Sequence, residues 1–168
     1  LHPGTNSSFS GLSVVDGKST WVGGSHGSIG RSGNAGNDWT FAKVKGYEQC
    51  DFRSIYAFDS RCAIIANAGA PAYILITSDA GKNWTRVYTN TDSAAFVDGM
   101  TFRDRNNGIA YGDPIAGKML ILLTKDGGKT WQEPRDRPVM AANEASFAAS
   151  GTDIRWAGSA KVIIGTGG

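Results

Sequence analysis

Short apolar segments recur along the chain at a nearly constant interval. They begin near Leu12, Ile55, Met100 and Phe147, so successive spacings are 43, 45 and 47 residues. Turn signals follow them at residues 16–17, 59–60, 104–108 and 150–151, and Gly- or Ala-rich strands come next at 21–24, 63–66, 108–112 and 156–158. This pattern predicts short β-strands joined by tight turns, and it indicates no amphipathic helix of ten or more residues.

Each repeat contains two further strands. The third strands are predicted at 28–31, 73–76 and 120–123, and the fourth at 40–44, 85–88 and 132–133 and beyond. Four short antiparallel strands per unit is the content of a propeller blade, and self-similarity at about 40–50 residues is typical of such arrays. We therefore expect an all-β chain that forms a β-propeller of about three and a half blades. Their predicted bounds are 9–46, 47–91, 92–138 and an incomplete fourth at 139–168.

An eight-residue motif, the octet, separates the third and fourth strands of each complete unit. The copies read SGNAGNDW, TSDAGKNW and TKDGGKTW. The Asp, or the Asn of the first copy, can close a turn by accepting backbone N–H groups one or two residues ahead. The Gly supplies the positive φ of that turn, and the Trp ring covers the hairpin. We expect structural roles for the octets and neither metal binding nor catalysis. Their defining residues are Ser32, Asn34, Gly36, Trp39, Thr77, Asp79, Gly81, Trp84, Thr124, Asp126, Gly128 and Trp131.

The octet resembles the Asp-box, also called the bacterial neuraminidase (BNR) repeat. Asp-boxes occur in sialidases, sortilin ectodomains, xyloglucanase-type glycosidases and photosystem II stability/assembly factors. The longer segments WVGGSHGSIGRS, FRSIYAFDS, APAYILITSDAGKNW and GIAYGDPIAGKMLILLTKDGGKTW are most similar to the assembly-factor group and its bacterial relatives. This resemblance covers the chain from about Phe9 to its end. It implies a protein partner and an exported bacterial protein that is secreted, periplasmic or at the cell surface.

The number of units bears on whether the propeller is closed. Closed propellers typically have four to eight blades, because only a ring removes the exposed edges of the end blades. The chain stops before a fourth octet, so we expect it to be part of a longer propeller, with self-association through open blade edges as the alternative. Leu1 at the start fits either a removed signal peptide or a boundary within a longer protein.

Composition and charge narrow the classes of partner. Gly accounts for 23 of 168 residues and charged residues for 19%, which suits short strands and tight turns. The formal charge of +2 gives no electrostatic reason to expect nucleic acid or an anionic membrane surface, and no apolar run approaches the length of about 20 residues that spans a bilayer. Cys50 and Cys62 are expected to be free structural thiols. A strand of roughly 20 Å separates them, whereas a disulfide needs Cα atoms within about 7 Å.

One end of the channel gathers candidate functional side chains. In a propeller, the loop before each inner strand and the loop between the second and third strands open on one face, the mouth, and the octets lie on the opposite face. Ser10, Arg53, Asp98 and Ala145 stand two residues before the inner-strand anchors, with Glu144 beside the last. We expect Arg53, Asp98 and Glu144 to form a mixed-charge, partly exposed patch, and the alternative is a solvated rim. The candidate binding residues are Arg53, Asp98, Glu144, His26, Tyr73 and Asp113.

Catalytic signatures are weak by comparison. The segment FRSI at 52–55 matches only part of the Phe-Arg-Ile-Pro segment of sialidases, and the other sialidase residues have no counterpart at the mouth. A glycosidase needs two carboxyl groups that flank the scissile bond. The candidate carboxyl groups at the mouth are Asp98, Asp113 and Glu144. The glycines fit no dinucleotide fingerprint, and His2 and His26 do not make a metal site, so no cofactor and no metal are expected.

The sequence therefore favours a non-enzymatic binding or assembly scaffold that recognises a protein or glycan partner at the mouth. The alternative is a carbohydrate-active enzyme, glycoside hydrolase or sialidase-like, whose remaining catalytic residues lie outside this chain.

Overall fold

A computed structural model describes residues 6–147, 153–158 and 160–168, in which all regular structure is β-strand. Blade 1 contains β1 Phe9–Val14, β2 Thr20–Gly24, β3 Ser28–Ser32 and β4 Thr40–Lys43. Blade 2 contains β5 Asp51–Ala57, β6 Ala63–Ala68, β7 Ala72–Thr77 and β8 Thr85–Asn90. Blade 3 contains β9 Val97–Phe102, β10 Gly108–Ile115 and β11 Lys118–Thr124. The last hairpin contains β12 Ala145–Ser146, β13 Ile154–Ala157, β14 Lys161–Ile164 and β15 Thr166–Gly167. Within these ranges the structure has no helix long and apolar enough to cross a membrane.

The blades lie side by side along their inner strands. Within each blade the strands pair antiparallel in chain order. Strand β1 contacts β5, β5 contacts β9, and β9 contacts β13. These four strands therefore occupy the same position in successive units. The arrangement agrees with the predicted all-β propeller.

The hydrophobic core lies between the blades. Trp21 of blade 1 packs in one cluster with Phe52 and Ile65 of blade 2, whereas Ile64 of blade 2 packs with Val97 of blade 3. Successive strand residues point to opposite faces, so the neighbours Ile64 and Ile65 serve two different interfaces. A sheet covered on both faces needs apolar or small residues at consecutive positions. This explains the sequence AIIANA of β6, in which five consecutive residues are buried.

The face of blade 1 that points away from blade 2 has no neighbouring blade among the described residues. Leu12 and Val14 of β1 lie on this face and are 59% and 63% exposed. Ile55, which takes the place of Leu12 in the next blade, is only 8% exposed because it packs in the cluster between blades 1 and 2.

Blade 3 lacks the regular fourth strand that the sequence predicted from residue 132 onward. Two isolated pairs remain. Lys118 pairs with Val139, and the backbone N–H groups of Leu123 and Gln132 each donate to the carbonyl of the other, at 2.8 and 2.9 Å. Pro134 and Pro138 follow soon after. Proline has no N–H to donate to a ladder, so the two pairs are not joined into one continuous strand.

The last hairpin differs from the predicted fourth unit by one strand. Trp156 was expected in a second strand, but it lies in β13, which pairs with β14 and contacts β9 as an inner strand does. The expected second strand is instead β14, and the short β15 continues it and pairs with β12. The predicted turn at 150–151 lies outside the described residues. The assignment was wrong because the apolar segment at Phe147 precedes the true repeat, which starts at Ile154.

Each octet is closed by hydrogen bonds that converge on two side chains. In the third octet, the Thr124 hydroxyl accepts the Gly128 N–H at 2.9 Å and donates to Asp126 Oδ1 at 2.8 Å. Asp126 Oδ1 also accepts the backbone N–H groups of Lys129 and Thr130, each at 3.0 Å. Burial opposes ionisation of Asp126, but these bonds and the Thr130 hydroxyl hold its pKa at about 2. The hydrogen-bonding capacity of the Asp126 carboxylate is therefore used within its own turn.

The same scheme holds in the other two octets. Asn34 Oδ1 accepts the Asp38 N–H at 2.8 Å, and Asp79 Oδ1 accepts the Asn83 N–H at 2.9 Å. The bonds from the Asn83 backbone and side chain lower the pKa of Asp79 to about 2. The acceptors reach three or four residues ahead, which corrects the expected one or two. Two consecutive left-handed residues lengthen the turn in every copy, and the Gly is the second of each pair.

The octet tryptophans are not equally buried. Trp131 is 8% exposed, its indole N–H donates to the Gly128 carbonyl at 3.1 Å, and its ring packs against Phe102 with centroids 5.9 Å apart. Trp39 and Trp84 are only partly buried.

The difference follows from what each ring contacts. Trp84 presents an edge contact to Trp21 of blade 1, with centroids 6.4 Å apart. Trp39 stacks on Phe41 of its own blade at 5.8 Å. Blade 1 has no preceding blade within the described ranges, so the first octet has no equivalent surface to pack against.

Substituting Gly128 by alanine should lower the free energy of unfolding by about 2–4 kcal/mol, as the sum of backbone strain and overpacking. Gly128 has a φ of 83°, and an added Cβ would collide with Ile64 Cδ1 of blade 2. Gly46 has the same φ, but nothing lies within 4 Å of its Cβ position. The control Gly46→Ala should therefore cost only the strain of about 1–2 kcal/mol. Equal losses for both variants in urea unfolding would show that the contact with blade 2 contributes nothing.

Candidate functional site

A β-bulge interrupts the inner strand at the same position in each of blades 1 to 3. The extra residues are Ser10, Arg53 and Asp98, each four residues before the end of its strand. Asp153 stands four residues before the end of β13 and so takes the corresponding place in the last hairpin. A bulge bends the strand and re-aims a side chain, and bulges are frequent beside functional sites. Four successive units thus present one side chain each at the mouth.

Asp98 is the most deeply placed of these side chains. It is 2% exposed, and its carboxylate accepts a hydrogen bond from the Asp113 N–H, while Oδ2 has no hydrogen-bond partner. Burial is the largest cause that raises the pKa of Asp98 to about 7, and the negative charges of Asp113 and Asp153 add to it. The Asp113 N–H and the charge of Arg53 act in the opposite direction. Asp98 can therefore gain or lose its proton near neutral pH.

The neighbours of Asp98 are themselves held by the protein. Asp113 Oδ1 accepts the Ser146 N–H at 3.1 Å, and the hydroxyl of the fully buried Tyr111 donates to the Phe147 carbonyl at 3.2 Å. Burial, together with the charges of Asp153 and Asp98, raises the pKa of Tyr111, so this phenol stays neutral.

Arg53 lies on the other side of Asp98 and is engaged by its own strand. Its Nε donates to Asp51 Oδ2 at 2.8 Å, and the two side chains are 44% and 30% exposed. The other oxygen of Asp51 and Oδ2 of Asp153 are both buried without a hydrogen-bond partner. We call Asp51, Arg53, Asp98, Asp113 and Asp153 the mouth cluster.

The mouth cluster contains three of the six predicted binding residues: Arg53, Asp98 and Asp113. Glu144 belongs to a turn of its own, where it accepts the Ala141 N–H at 2.8 Å and the Thr166 hydroxyl at 2.5 Å. Those two bonds, the Thr166 bond first, lower the pKa of Glu144. The expected patch of Arg53, Asp98 and Glu144 is therefore wrong in two respects. Glu144 does not interact with the cluster, and Asp98 is buried where partial exposure was expected.

His26 lies in a tight turn between β2 and β3. It is exposed, has a φ of 57°, and its Nδ1 is 3.2 Å from the Ser25 hydroxyl. The turn geometry explains its position without a ligand.

Tyr73 lines a separate groove between blade 2 and the connector at residues 46–50 that leads into it. The groove has a volume of about 550 Å³ and is bordered by Tyr47, whose ring meets Tyr73 edge-on at 5.4 Å. The Arg86 guanidinium lies 5.6 Å from the centre of the Tyr73 ring, and Cys50 also lines the groove. Cys50 and Cys62 are free thiols, and burial raises the pKa of Cys50, which disfavours its reactive thiolate form.

Asp51, Asp153 and Tyr111 escaped the sequence analysis. Asp153 was missed because the fourth unit was aligned on Phe147. The signal was available, since the segment IRWAGSAKVII at 154–164 repeats the apolar–turn–apolar pattern of the earlier units. Tyr111 was assigned to a strand without a role, and Asp51 precedes the position that was compared between blades. The described residues contain no group of three or more His, Cys, Asp or Glu side chains arranged to hold a metal ion.

Comparisons with known proteins support the fold. No family model matches the chain, and no curated protein matches its sequence. One similar structure, described as YCF48 bound to D1 peptide, superposes with a TM-score of 0.60 at 22% identity over 77% of this chain and 41% of that one. YCF48 from Cyanidioschyzon merolae gives 0.57 at 20% identity over 77% and 40%. The Niastella koreensis GH74 enzyme gives 0.60 at 13% identity over 86% and 27%.

The chain spans less than half the length of each of these structures. Likeness at this level of identity establishes the fold alone. The chain is thus a β-propeller segment that resembles the photosystem II assembly factor YCF48 and GH74 propellers, and the predicted fold is confirmed.

Proposed function

We propose that the chain is part of a non-enzymatic binding or assembly scaffold that recognises a protein partner at the mouth. The observation that carries the proposal is the buried Asp98 carboxyl, which has one oxygen without a donor and two further carboxylates beside it. A buried polar atom without a hydrogen bond costs about 1–3 kcal/mol, which a protein keeps mainly where the atom has a function. A peptide-bound propeller of the same fold supports a protein as the partner.

A carbohydrate-active enzyme is the second candidate, and the pKa of Asp98 favours it. A carboxyl group with a pKa of about 7 can donate a proton to a leaving group at neutral pH, as the general acid of a glycosidase does. Asp113 or Asp153 would then be the nearest candidates for the second carboxylate. Glu144 does not fit this role, because both of its carboxylate oxygens already accept hydrogen bonds, from the Ala141 N–H and the Thr166 hydroxyl.

Reversal of Arg53 tests the scaffold proposal. A partner peptide is first selected from a displayed random library against the whole chain, and its dissociation constant is then measured at several salt concentrations. Arg53→Glu should weaken binding at least tenfold at low salt and less at high salt, because it removes the attraction of Arg53 for an acidic group of the partner and salt screens such attraction. Arg135→Glu, an equal change of charge at an exposed residue outside the mouth cluster, should change binding less than twofold.

Hydrolysis assays distinguish the enzyme from the scaffold. The chain and its Asp98→Asn variant are incubated with a panel of polysaccharides and chromogenic glycosides. Turnover by the parent chain that disappears in Asp98→Asn would reject the scaffold proposal and establish the glycosidase. Equal peptide binding by Arg53→Glu and Arg135→Glu would reject the mouth as the binding surface.

A further inference from the structure

We propose that the mouth cluster binds the cationic side chain of a lysine or arginine from a protein partner, held by Asp98, Asp113 and Asp153. This inference rests on the proposed function and adds the chemistry of the group that is recognised. Neither the octets nor the groove at Tyr73 takes part.

The unpartnered oxygens define what the ligand must offer. Asp51 Oδ1, Asp98 Oδ2 and Asp153 Oδ2 are buried and accept no hydrogen bond. An ionised carboxylate is an acceptor only, so the group that satisfies it must be a donor. Phosphate, sulfate and carboxylate ligands are disfavoured for this reason. Ammonium and guanidinium groups carry three and five N–H donors, respectively, and no acceptor.

The charges point in the same direction. The mouth cluster contains four carboxylates and the Arg53 guanidinium, which is already bonded to Asp51. The remaining three carboxylates interact strongly enough for Asp113 and Asp153 to oppose ionisation of Asp98. A bound cation would remove this mutual repulsion, whereas the neutral hydroxyl groups of a sugar would leave it in place.

The burial of Asp98 favours a ligand group that stands at the end of a long stem. Asp113 and Asp153 are partly exposed, whereas Asp98 is only 2% exposed. Lysine and arginine carry their charge at the end of an unbranched aliphatic stem, which can be buried while the tip makes hydrogen bonds. Such a side chain can therefore bring its charged tip to the buried Asp98 carboxyl while its stem lies in the protein.

The test compares three fluorescent peptides of equal length on the whole chain: (Gly-Lys)4, (Gly-Arg)4 and neutral (Gly-Gln)4. At low ionic strength at least one cationic peptide should bind at least tenfold more tightly than the neutral one in fluorescence anisotropy. Asp98→Asn should weaken that binding at least fivefold, and Asp153→Asn serves as a second variant if Asp98→Asn fails to fold. The matched control Asp136→Asn, at an exposed position outside the cluster, should change it less than twofold.

The pH dependence separates the site from general attraction of opposite charges. A cation stabilises ionised Asp98, so its binding releases the proton of that carboxyl and should strengthen as pH rises from 6 to 8. The groups that face Asp98 are Asp113, Tyr111, Asp153 and Arg53. Burial keeps the Tyr111 phenol neutral in this interval by raising its pKa, and the strengthening should be absent in Asp98→Asn.

Several outcomes would overturn the inference. Equal binding of the neutral and cationic peptides would do so, as would equal losses in Asp98→Asn and Asp136→Asn. Stabilisation by Ca²⁺ or Mg²⁺ alone that Asp98→Asn abolishes would identify a metal site instead, and binding of glycans to the cluster would identify a sugar site. If a selected partner peptide still depends on Arg53 while the cationic peptides do not bind, the scaffold proposal survives and only the cation inference fails.

Discussion

Replacing Trp131 with alanine should reduce the free energy of unfolding by about 3–5 kcal/mol, the range for deletion of a large aromatic side chain from a core. Trp131 is 8% exposed and packs in the cluster that joins blades 2 and 3. Its removal would open a cavity against Phe102 and leave the Gly128 carbonyl without the indole donor. Urea unfolding followed by circular dichroism measures the change. A loss below about 1 kcal/mol would show that the ring adds little to the interface between blades.

Trp39→Ala provides the matched comparison. Trp39 makes the same bond, from its indole N–H to the Gly36 carbonyl at 2.9 Å, but it is only partly buried and stacks within its own blade. Its loss should therefore be smaller, about 1–2 kcal/mol, because less apolar area returns to water. Similar losses for both variants would mean that the octet stabilises its own hairpin and that contact between blades is incidental.

Asp98→Asn should stabilise the protein progressively as pH rises from 4 to 7. The folded-state pKa of Asp98 is about 7, above the value of about 3.9 for an unfolded Asp. The stability contributed by the protonated carboxyl is fully present below pH 4 and is lost as pH rises through 7. Asparagine has no proton to lose, so the variant avoids this loss. The difference in unfolding free energy should grow by up to about 1.4 kcal/mol per pH unit in favour of the variant.

Asp104→Asn is the control with the opposite sign. Hydrogen bonds from the Asn107 and Asn106 N–H groups, together with the Asn107 side chain, lower the pKa of Asp104 to about 2. Its stabilisation is present above the unfolded pKa and is lost as the pH falls from 4 towards 2. Denaturant titrations of both variants at pH 3, 5, 6, 7 and 8 would reveal the two trends. A constant difference between Asp98→Asn and the parent across this range would contradict the buried, ionisable state of Asp98.

The blades could be predicted because each repeats two independent signals, an apolar segment and an octet. The two signals give the same alignment of the first three units, and the observed strands begin and end within a few residues of the predicted ones. The last hairpin has no octet, so only the apolar signal remained, and Phe147 was mistaken for its start. The missing fourth strand of blade 3 was likewise foreseeable from Pro134 and Pro138.

The mouth was predictable only in part. Equivalent strand positions recur in every repeat and can be counted, whereas the burial of a side chain at such a position differs from repeat to repeat. Counting back from the anchors picked out Arg53 and Asp98, which the structure brings into the mouth cluster, since the inner strands of blades 1 to 3 carry their bulges at the same step. Counting positions cannot show that the Asp98 side chain is buried, or that the Arg53 guanidinium bonds to Asp51 of its own strand. Those outcomes depend on contacts between units, and Asp153 entered the cluster through the strand whose register was misassigned.

The location of the cores between the blades has a consequence for cooperativity. Blade 2 has no hydrophobic interior of its own, since Ile64 and Ile65 serve opposite neighbours. The molecule then behaves as a linear array in which stability is the sum of unit terms and nearest-neighbour terms. A defect at one interface should loosen the two adjoining units first. Hydrogen exchange should accordingly be fastest at the array ends, where Leu12 and Ile163 are exposed, and slowest in β6 and β7.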